Sequence, residues 1–535
     1  MSLDAHLVLA RFFLSKLRVS NINQLRSWQA LEDTQATGAQ TVFFNAALGM
    51  ATPDLAQRLP LYDANLREYE SRLARRRKEF AGFKYFQYIA LLASEYHLDQ
   101  LTGDPEKYVD ELNEFQAADL HRAQFTLPDL RRLAFYLATG AGKTLLLHVH
   151  YWQLLHYFKA GSKKEALTTE AGFGNILLLT PNAGLAEQHR QDLERSGIPA
   201  RYLTEVKHNP SSVLPGTVLV VDMPKLRDKR AKDETETEGL YYPILGQANL
   251  VFADEGHKGT ASLDKGWRQI REWLSEKGML LEYSATFAQV LKSGEMLREY
   301  GKRILADYQY RYFYQDQYGK DFQSIEANPG DLNPTAEEEA ALMGGLLLYY
   351  VQLRHYLSLG NRAREYNLEK PLWTFVGHTV IKSSKGKEGE LEEDAETLAD
   401  VAKVVRFLKR LTDDPQWAQG LMAGAVTSVE FIGNSNPFAA HLTELQTQAP
   451  RQLYYEVLET VMLGRGALEL HLMPAQGEIG LKTSGAREYF GVINIGDTAG
   501  FKKQLEQNLK LAVGENPLYG YSLFQQINQP NSPIQ

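Results

Sequence analysis

The chain contains no cysteine, which excludes disulfides, thiolate metal sites and a cysteine nucleophile, and is compatible with a reducing cytoplasm. It has no long apolar run. The longest, Ala340–Val351, is too short to span a bilayer, follows Glu337-Glu338-Glu339 and is soon followed by Arg354. The N-terminus, Met1-Ser2-Leu3-Asp4-Ala5-His6, lacks the basic start and apolar stretch of a signal peptide. A soluble, cytoplasmic protein without a membrane partner is the expectation. Positive charge is not in excess: 58 Lys and Arg stand against 66 Asp and Glu, a net of −8. Any polyanion contact must therefore come from local patches. No repeat of fixed short period is present. What the chain has in quantity is aromatic residues, 11% overall with 28 Tyr, spread over 535 residues. That describes several well-packed domains rather than disorder.

Residues 1 to about 120 read as helical. Leu66, Tyr69, Leu73, then Phe80, Phe83 and Phe86 recur at helical spacing, and Tyr85–Tyr96 continues the pattern. The one dense basic cluster, Arg72–Lys78, is more simply a solvated helix face than a phosphate contact. From about 121 to 300 the pattern becomes strand–helix alternation. Apolar runs at Leu133–Leu137, Ile176–Leu179, Val218–Val221, Leu250–Ala253 and Met279–Tyr283 predict a parallel sheet with helical crossovers. Ala160–Gly174 and Arg227–Gly239 read as surface loops. The alternating Tyr308–Tyr314 predicts a strand whose tyrosines pack rather than stack on bases. A helix over about Glu337–Leu357 follows, then a buried strand over Leu372–Gly377 and an acidic stretch, Glu388–Glu396. A second alternation is expected after that: helices at Val401–Leu408 and Tyr454–Leu463, a strand at Phe490–Ile495 and a helix at Phe501–Leu511.

The chemistry begins at Ala138-Thr139-Gly140-Ala141-Gly142-Lys143-Thr144, between the strand Leu133–Leu137 and the helix opened by Leu145-Leu146-Leu147. A glycine-rich turn in that position aims backbone N–H groups into a concavity at the positive end of a helix dipole. The lysine and threonine that close it are what β/γ-phosphates and their Mg²⁺ require. Leu137 stands where a generic P-loop has its first glycine, so the loop needs a second half. That half is Asp254-Glu255-Gly256-His257, after an apolar strand: one carboxylate to hold Mg²⁺ through its water shell, the other to orient and polarise the attacking water. Ser284-Ala285-Thr286 follows another strand, where small hydroxyls can bond His257 and report phosphate loss. Between them, Thr180-Pro181-Asn182 ends a strand in a hydroxyl–proline turn suited to a nucleic-acid phosphate, or to no more than a loop. His148 and His150 lie at i,i+2 and face different sides of one helix, which disfavours a metal site there.

These four segments, in this order, resemble motifs I, Ia, II and III of superfamily 2 helicases, in the DEAD/DEAH-box group that includes the Res subunit of type III restriction enzymes. Lys84–Leu92, Tyr310–Tyr314 with Tyr318–Phe322, and Pro371–Gly377 are also similar to segments of large bacterial proteins of that group. The resemblance implies an α/β fold: a RecA-like P-loop NTPase domain with a parallel sheet, an N-terminal helical region, and a second RecA-like domain incomplete at its C-terminus. The corresponding plan is a helical region at 1–120, the ATP-binding domain at 121–300, a connecting segment at 301–365 and part of a second RecA-like domain at 366–535. It implies ATP and Mg²⁺ as cofactors, with Thr139, Gly140, Ala141, Gly142 and Lys143 on the phosphates, and Thr144 and Asp254 on the metal. Glu255 would activate water, while His257, Ser284 and Thr286 couple hydrolysis to movement. Thr180 and Pro181 would meet nucleic acid.

Two parts of the family pattern are missing. Neither a Gly-rich motif V nor a motif VI of the form Q-x-x-G-R-x-x-R is present; Gly464-Arg465-Gly466 lacks the preceding glutamine. The expectation is a C-terminally truncated chain that binds ATP but turns it over slowly, since an arginine finger is worth roughly 10³–10⁵ in rate. The glutamine that reads adenine is not clear either, for Gln124 has the wrong context. The leading reading is an ATP-dependent DNA helicase or translocase in a restriction or phage-defence setting, acting on double-stranded DNA beside a methyltransferase or specificity subunit. The alternatives are an RNA helicase, or an ATP-binding nucleic-acid module without efficient turnover. A P-loop kinase is disfavoured, because Asp-Glu-x-His followed by Ser-Ala-Thr belongs to motor ATPases.

Overall fold

The structure is a computed structural model. It describes residues 6–34, 38, 40–116, 124–158, 174–206, 213–227, 240–256, 265–289, 291, 294–319, 334–365, 368–375, 400–474, 476–494, 498–516, 521–527 and 532–534. The chain divides into two compact units, Met1–Asp321 and Phe322–Gln535.

The first unit opens with five helices: α1 (Val8–Lys16), α2 (Phe44–Met50), α3 (Pro53–Arg76), α4 (Tyr85–Gly103) and α5 (Pro105–Gln116). α4 is buried on nearly every face, as its lack of a polar side requires. Its polar residues are matched inside the protein. His97 Nε2 meets the Leu130 carbonyl at 2.8 Å, and Glu95 accepts from Asn65, Gln153 and Tyr157. The sheet follows, with strands β1 (Arg132–Leu137), β2 (Ile176–Thr180), β3 (Ala200–Tyr202), β4 (Val218–Asp222), β7 (Leu250–Asp254), β8 (Met279–Ser284) and β9 (Ile304–Tyr308). The two-residue strands β5 (Leu226–Arg227) and β6 (Leu240–Tyr241) pair only with each other among the described residues. The seven main strands run in the order β3-β4-β2-β7-β8-β1-β9, and every pairing is parallel.

Crossover helices α6 (Lys143–Tyr157), α7 (Ala183–Arg195), α8 (Lys265–Leu274) and α9 (Gly294–Arg303) link the strands, and α10 (Tyr310–Gln315) follows β9. The N-terminal helices and one face of the sheet share a single apolar core, running from Val8 through α4 and α6 to Phe313. Phe86 of α4 stacks on Tyr308 of β9 with ring centroids 3.9 Å apart and planes 4° from parallel. Each such fully buried ring contributes about 1.5–3 kcal/mol.

The expected strand across Tyr308–Tyr314 is overturned after its first residue. β9 ends at Tyr308, and Tyr310–Gln315 are helical. Tyr310 and Tyr314, four apart, lie on one helix face with their rings 6.1 Å apart, while Tyr312 and Phe313 turn into the core. An i,i+4 ring pair satisfies the same alternation that a strand would. Tyr308 and Tyr312 pack in the core, whereas Tyr310 and Tyr314 are exposed. The expected loops at Ala160–Gly174 and Arg227–Gly239 and the acidic stretch Glu388–Glu396 fall almost wholly outside the described residues.

The second unit holds α11 (Pro334–Leu359), α12 (Arg362–Glu365), α13 (Asp400–Asp413), α14 (Pro415–Thr427), α15 (Pro450–Val461), α16 (Thr498–Asn508) and α17 (Leu523–Gln526). Its strands are β10 (Leu468–Met473), β11 (Glu478–Thr483), β12 (Gly491–Asn494) and β13 (Val513–Glu515), in the order β12-β11-β10-β13. The expected strand–helix alternation is corrected here. β10–β11 and β11–β12 are antiparallel and only β10–β13 is parallel. The short links between β10, β11 and β12 leave no room for crossover helices. Residues 372–375 of the predicted strand form none, and 376–377 lie outside the described residues. Instead Trp373 stacks on Tyr349 at 6.1 Å, and Leu372 and Phe375 stay exposed. Among the described residues, no helix is long and apolar enough to cross a membrane.

Candidate functional site: a phosphate loop facing an Asp-Glu turn

Three neighbouring strands, β7, β8 and β1, end together at the carboxyl edge of the sheet. Asp254 is level with Tyr283, and Ser284 is level with Tyr136. Sheet register therefore places Asp254-Glu255, Ser284–Thr286 and the loop after Leu137 side by side, the position where open α/β sheets bind ligands.

The loop is wound tightly. Ala138 N–H donates to the Tyr308 carbonyl at 2.9 Å, and Ala141 N–H to the Ala138 carbonyl at 3.1 Å. Gly140 and Gly142 have φ of +84° and +82°, a conformation costly for any residue with a Cβ. Gly142 caps α6, so Lys143 and Thr144 open the helix, where the free N–H groups and the dipole favour an anion. Thr139 and Gly140 are exposed, Ala141 is buried, and Gly142, Lys143 and Thr144 are half-buried. Lys143 Nζ reaches the Ala138 carbonyl at 3.4 Å. Burial lowers its pKa, a shift that the charges of Glu255 and Asp254 partly offset. A phosphate would supply the anion that this ammonium group lacks.

The Asp-Glu turn is strained where its chemistry lies. Glu255 has φ +53°, and Gly256 N–H donates to the Tyr283 carbonyl at 2.9 Å, which holds the turn against β8. A non-glycine residue in this region costs roughly 1–3 kcal/mol, and such positions cluster at functional sites. Asp254 Oδ1 accepts the Glu255 N–H at 3.0 Å, and Oδ2 lies 2.9 Å from His189 Nε2. Burial pushes the Asp254 pKa up, but the His189 hydrogen bond and charge, the Glu255 N–H and Lys143 outweigh it, and the net shift is downward. The carboxylate stays ionised. Asp254 and the Thr144 hydroxyl are hard-oxygen groups of the chemical kind that Mg²⁺ takes beside phosphates, with one carboxylate and the remaining positions left to phosphate and water. Ser284 is buried, and its Oγ accepts the Thr286 N–H at 3.0 Å with the two hydroxyls 3.3 Å apart. His257 lies outside the described residues.

Two functional contacts escape motif reading. Gln87 of α4 donates from Nε2 to the Ala141 carbonyl at 2.9 Å and accepts the Lys84 N–H at 3.0 Å. Those two partners fix the orientation of the amide. Gln87, with Phe80, Lys84, Phe86, Phe313 and Tyr318, lines a cavity of about 390 Å³ against Gly140 and Gly142. Gln124 precedes the other end of β1, with its carbonyl on Lys302, about 20 Å away by strand rise alone. The second contact is His189. Both pairs are more than fifty residues apart in sequence, so no local spacing announces them.

The Thr180–Asn182 turn is largely turned inward. Thr180 is fully buried and its hydroxyl donates to the Asn182 carbonyl at 3.0 Å. Pro181 is buried too, and the exposed residues are Asn182, Ala183 and Gly184 at the start of α7. The basic cluster is not a uniform solvated face. Arg72 pairs with Glu68, whereas Arg77 is buried, with Nε on Ser196 Oγ at 2.8 Å and Nη2 on the Asp192 carbonyl at 2.7 Å. His148 and His150 face separate partners, Ser196 Oγ and Tyr283 OH. In the second unit, Arg465 pairs with Glu459 at 2.7 Å and covers the Tyr455 ring.

A family model described as "Type III restriction enzyme, res subunit" matches residues 106–289, about a third of the chain. No curated protein and no solved structure matches the chain. The matched segment contains the phosphate loop, the Asp-Glu turn and the Ser-Ala-Thr strand end, and it covers six of the seven strands of a sheet consistent with a RecA-like domain. Residues 106–289 are a domain of the type III restriction enzyme res-subunit family, helicase-like and of superfamily 2.

Proposed function

We propose that this protein is an ATP-driven motor on double-stranded DNA, the helicase or translocase part of a type III restriction-like or phage-defence system. The family implies an ATPase that uses ATP and Mg²⁺ on nucleic acid. The observation that carries the finer reading is the alignment of Lys143, Asp254-Glu255 and Ser284–Thr286 on three adjacent strand ends. In this reading the N–H groups of Thr139–Thr144 and the Lys143 ammonium bind the β/γ-phosphates. Thr144 and Asp254 hold Mg²⁺, which neutralises developing phosphate charge when bound. Glu255 orients the attacking water and accepts its proton, and Ser284, Thr286 and His257 couple the loss of phosphate to movement. The cavity beside Gln87 takes the base, with Phe313 and Tyr318 as apolar walls. The backbone at Asn182–Gly184, rather than the buried Thr180 side chain, meets a nucleic-acid phosphate. We assign the ATP-binding domain to residues 121–300, extended by β9.

A second reading has its own support. The chain contains no Gln-x-x-Gly-Arg-x-x-Arg stretch, which favours slow turnover by residues 1–535 alone. The test is the ATPase rate of the whole chain with double-stranded DNA, single-stranded DNA and RNA, alongside Lys143→Ala. Stimulation by duplex DNA that Lys143→Ala abolishes supports the motor. Stimulation by RNA alone overturns the DNA assignment, and fast turnover overturns the slow-turnover reading.

A further inference from the structure

His189 is only 5% exposed and belongs to none of the four motifs. Its Nε2 lies 2.9 Å from Asp254 Oδ2, while Asp254 Oδ1 is occupied by the Glu255 N–H. A carboxylate only accepts, so His189 donates from Nε2 to Asp254. His189 Nδ1 is buried and has no partner among the described residues. Ser196 Oγ receives Arg77 Nε–H at 2.8 Å and lies 2.9 Å from His148 Nδ1. His148 Nε2 is also buried and without a partner among the described residues. The imidazole of His189 thus has its Nε2 donor on Asp254, the arrangement by which outer-shell groups orient a metal ligand.

We propose that His189 is the positioning residue of the metal-holding carboxylate, fixing the plane of Asp254 and tying it to helix α7. This rests on the ATP·Mg²⁺ reading of the site. Both carboxylate oxygens are held from within the protein, and each keeps a lone pair for a further ligand. α7 is itself anchored by Asn182, whose Oδ1 accepts the Leu185 N–H at 2.9 Å. His189 lies about two helical turns, roughly 10 Å, beyond that cap. Asp254 is therefore referenced to the same rigid rod that begins at the Thr180–Asn182 turn.

The experiment titrates the whole chain with a fluorescent ATP analogue, in Mg²⁺ and again in EDTA. The Mg²⁺-dependent gain in affinity is compared for wild type, His189→Ala, His189→Leu and His189→Gln. His189→Ala and His189→Leu are expected to lose about tenfold of that gain, the scale of outer-shell substitutions at metal sites, with affinity in EDTA unchanged. His189→Gln keeps an N–H donor near the Nε2 position and is expected to restore most of the gain. His189→Leu nearly preserves the volume of the ring, so it reports on the donor even where the alanine variant fails to fold. A Mg²⁺-dependent gain that survives in His189→Leu overturns the inference, as does a glutamine variant no better than the leucine one. A wild-type chain that binds no nucleotide overturns the ATP·Mg²⁺ reading itself, and that outcome is distinct because it does not involve His189.

Discussion

Gly142 is where the phosphate loop tolerates change least, and Gly142→Ala tests how the loop is held. The residue sits at φ +82°, ψ +32°, where a Cβ costs about 1–2 kcal/mol. The added methyl would also run into the Gln87 amide. That amide cannot move freely, because it is buried and donates to the Ala141 carbonyl. Displacing it leaves a buried acceptor unmet, a further cost of about 1–3 kcal/mol. The two sum to roughly 2–5 kcal/mol against the wound loop, so ATP affinity should fall about 30-fold or more. Gln87→Ala forfeits the hydrogen bond without the strain and should cost roughly 5-fold or more. Because both substitutions lose the same bond, the double variant should bind better than the product of the two losses, with a coupling of about 1–3 kcal/mol. A fluorescent-nucleotide titration measures all four corners of the cycle, with melting curves to establish that each variant folds. Strict additivity, or a Gly142→Ala chain within threefold of wild type, would refute the reasoning.

Other consequences are as direct. Glu255→Gln should retain ATP binding yet lose at least about 10²-fold in turnover, as removal of a general base does; equal losses in both would make Glu255 a binding residue. Burial pushes the Glu95 pKa up to about 7, so the folded state keeps a proton that the unfolded chain has shed above its ordinary value near 4.5. Stability is therefore lost as pH rises from about 4.5 through 7, up to about 3 kcal/mol from this group. The melting temperature of Glu95→Gln relative to wild type should climb across that window, and a pH-independent difference would contradict the assignment. Phe86→Ala removes a stacked, buried ring from the seam between α4 and β9 and should cost about 3–5 kcal/mol, read by denaturant unfolding. A loss under 1 kcal/mol would mean that the seam is loosely packed.

The five central strands were legible almost to the residue, because a parallel strand buried on both faces is an uninterrupted apolar run. Ile176–Thr180 and Val218–Asp222 are such runs. β3 and β9 escaped for the complementary reason. Both are edge strands, β3 has three residues with Arg201 exposed, and Asp307 breaks the apolar pattern of β9. In the second unit, helices such as Asp400–Asp413 and Pro450–Val461 announced themselves by periodicity. The β10–β11 hairpin did not, for Glu469 and His471 give it no long apolar stretch. At the site, contiguous chemistry was readable and convergent chemistry was not. Lys143, Thr144, Asp254 and Glu255 stand inside motifs, whereas Gln87 and His189 reach the site only because α4 and α7 pack where they do.

Gln87, Phe86 and Tyr308 have a practical meaning for where this protein can be cut. The family match ends at Gln289 and begins at Glu106, whereas α4 ends before it and β9 begins after it. A fragment trimmed to 106–289 would hold the phosphate loop and the Asp-Glu turn, yet lose the helix behind α6, the strand flanking β1 and both anchors of the loop, on Gln87 and on Tyr308. The border drawn by likeness and the border drawn by burial enclose different objects. The helices that carry no helicase motif are what keep the motifs in shape.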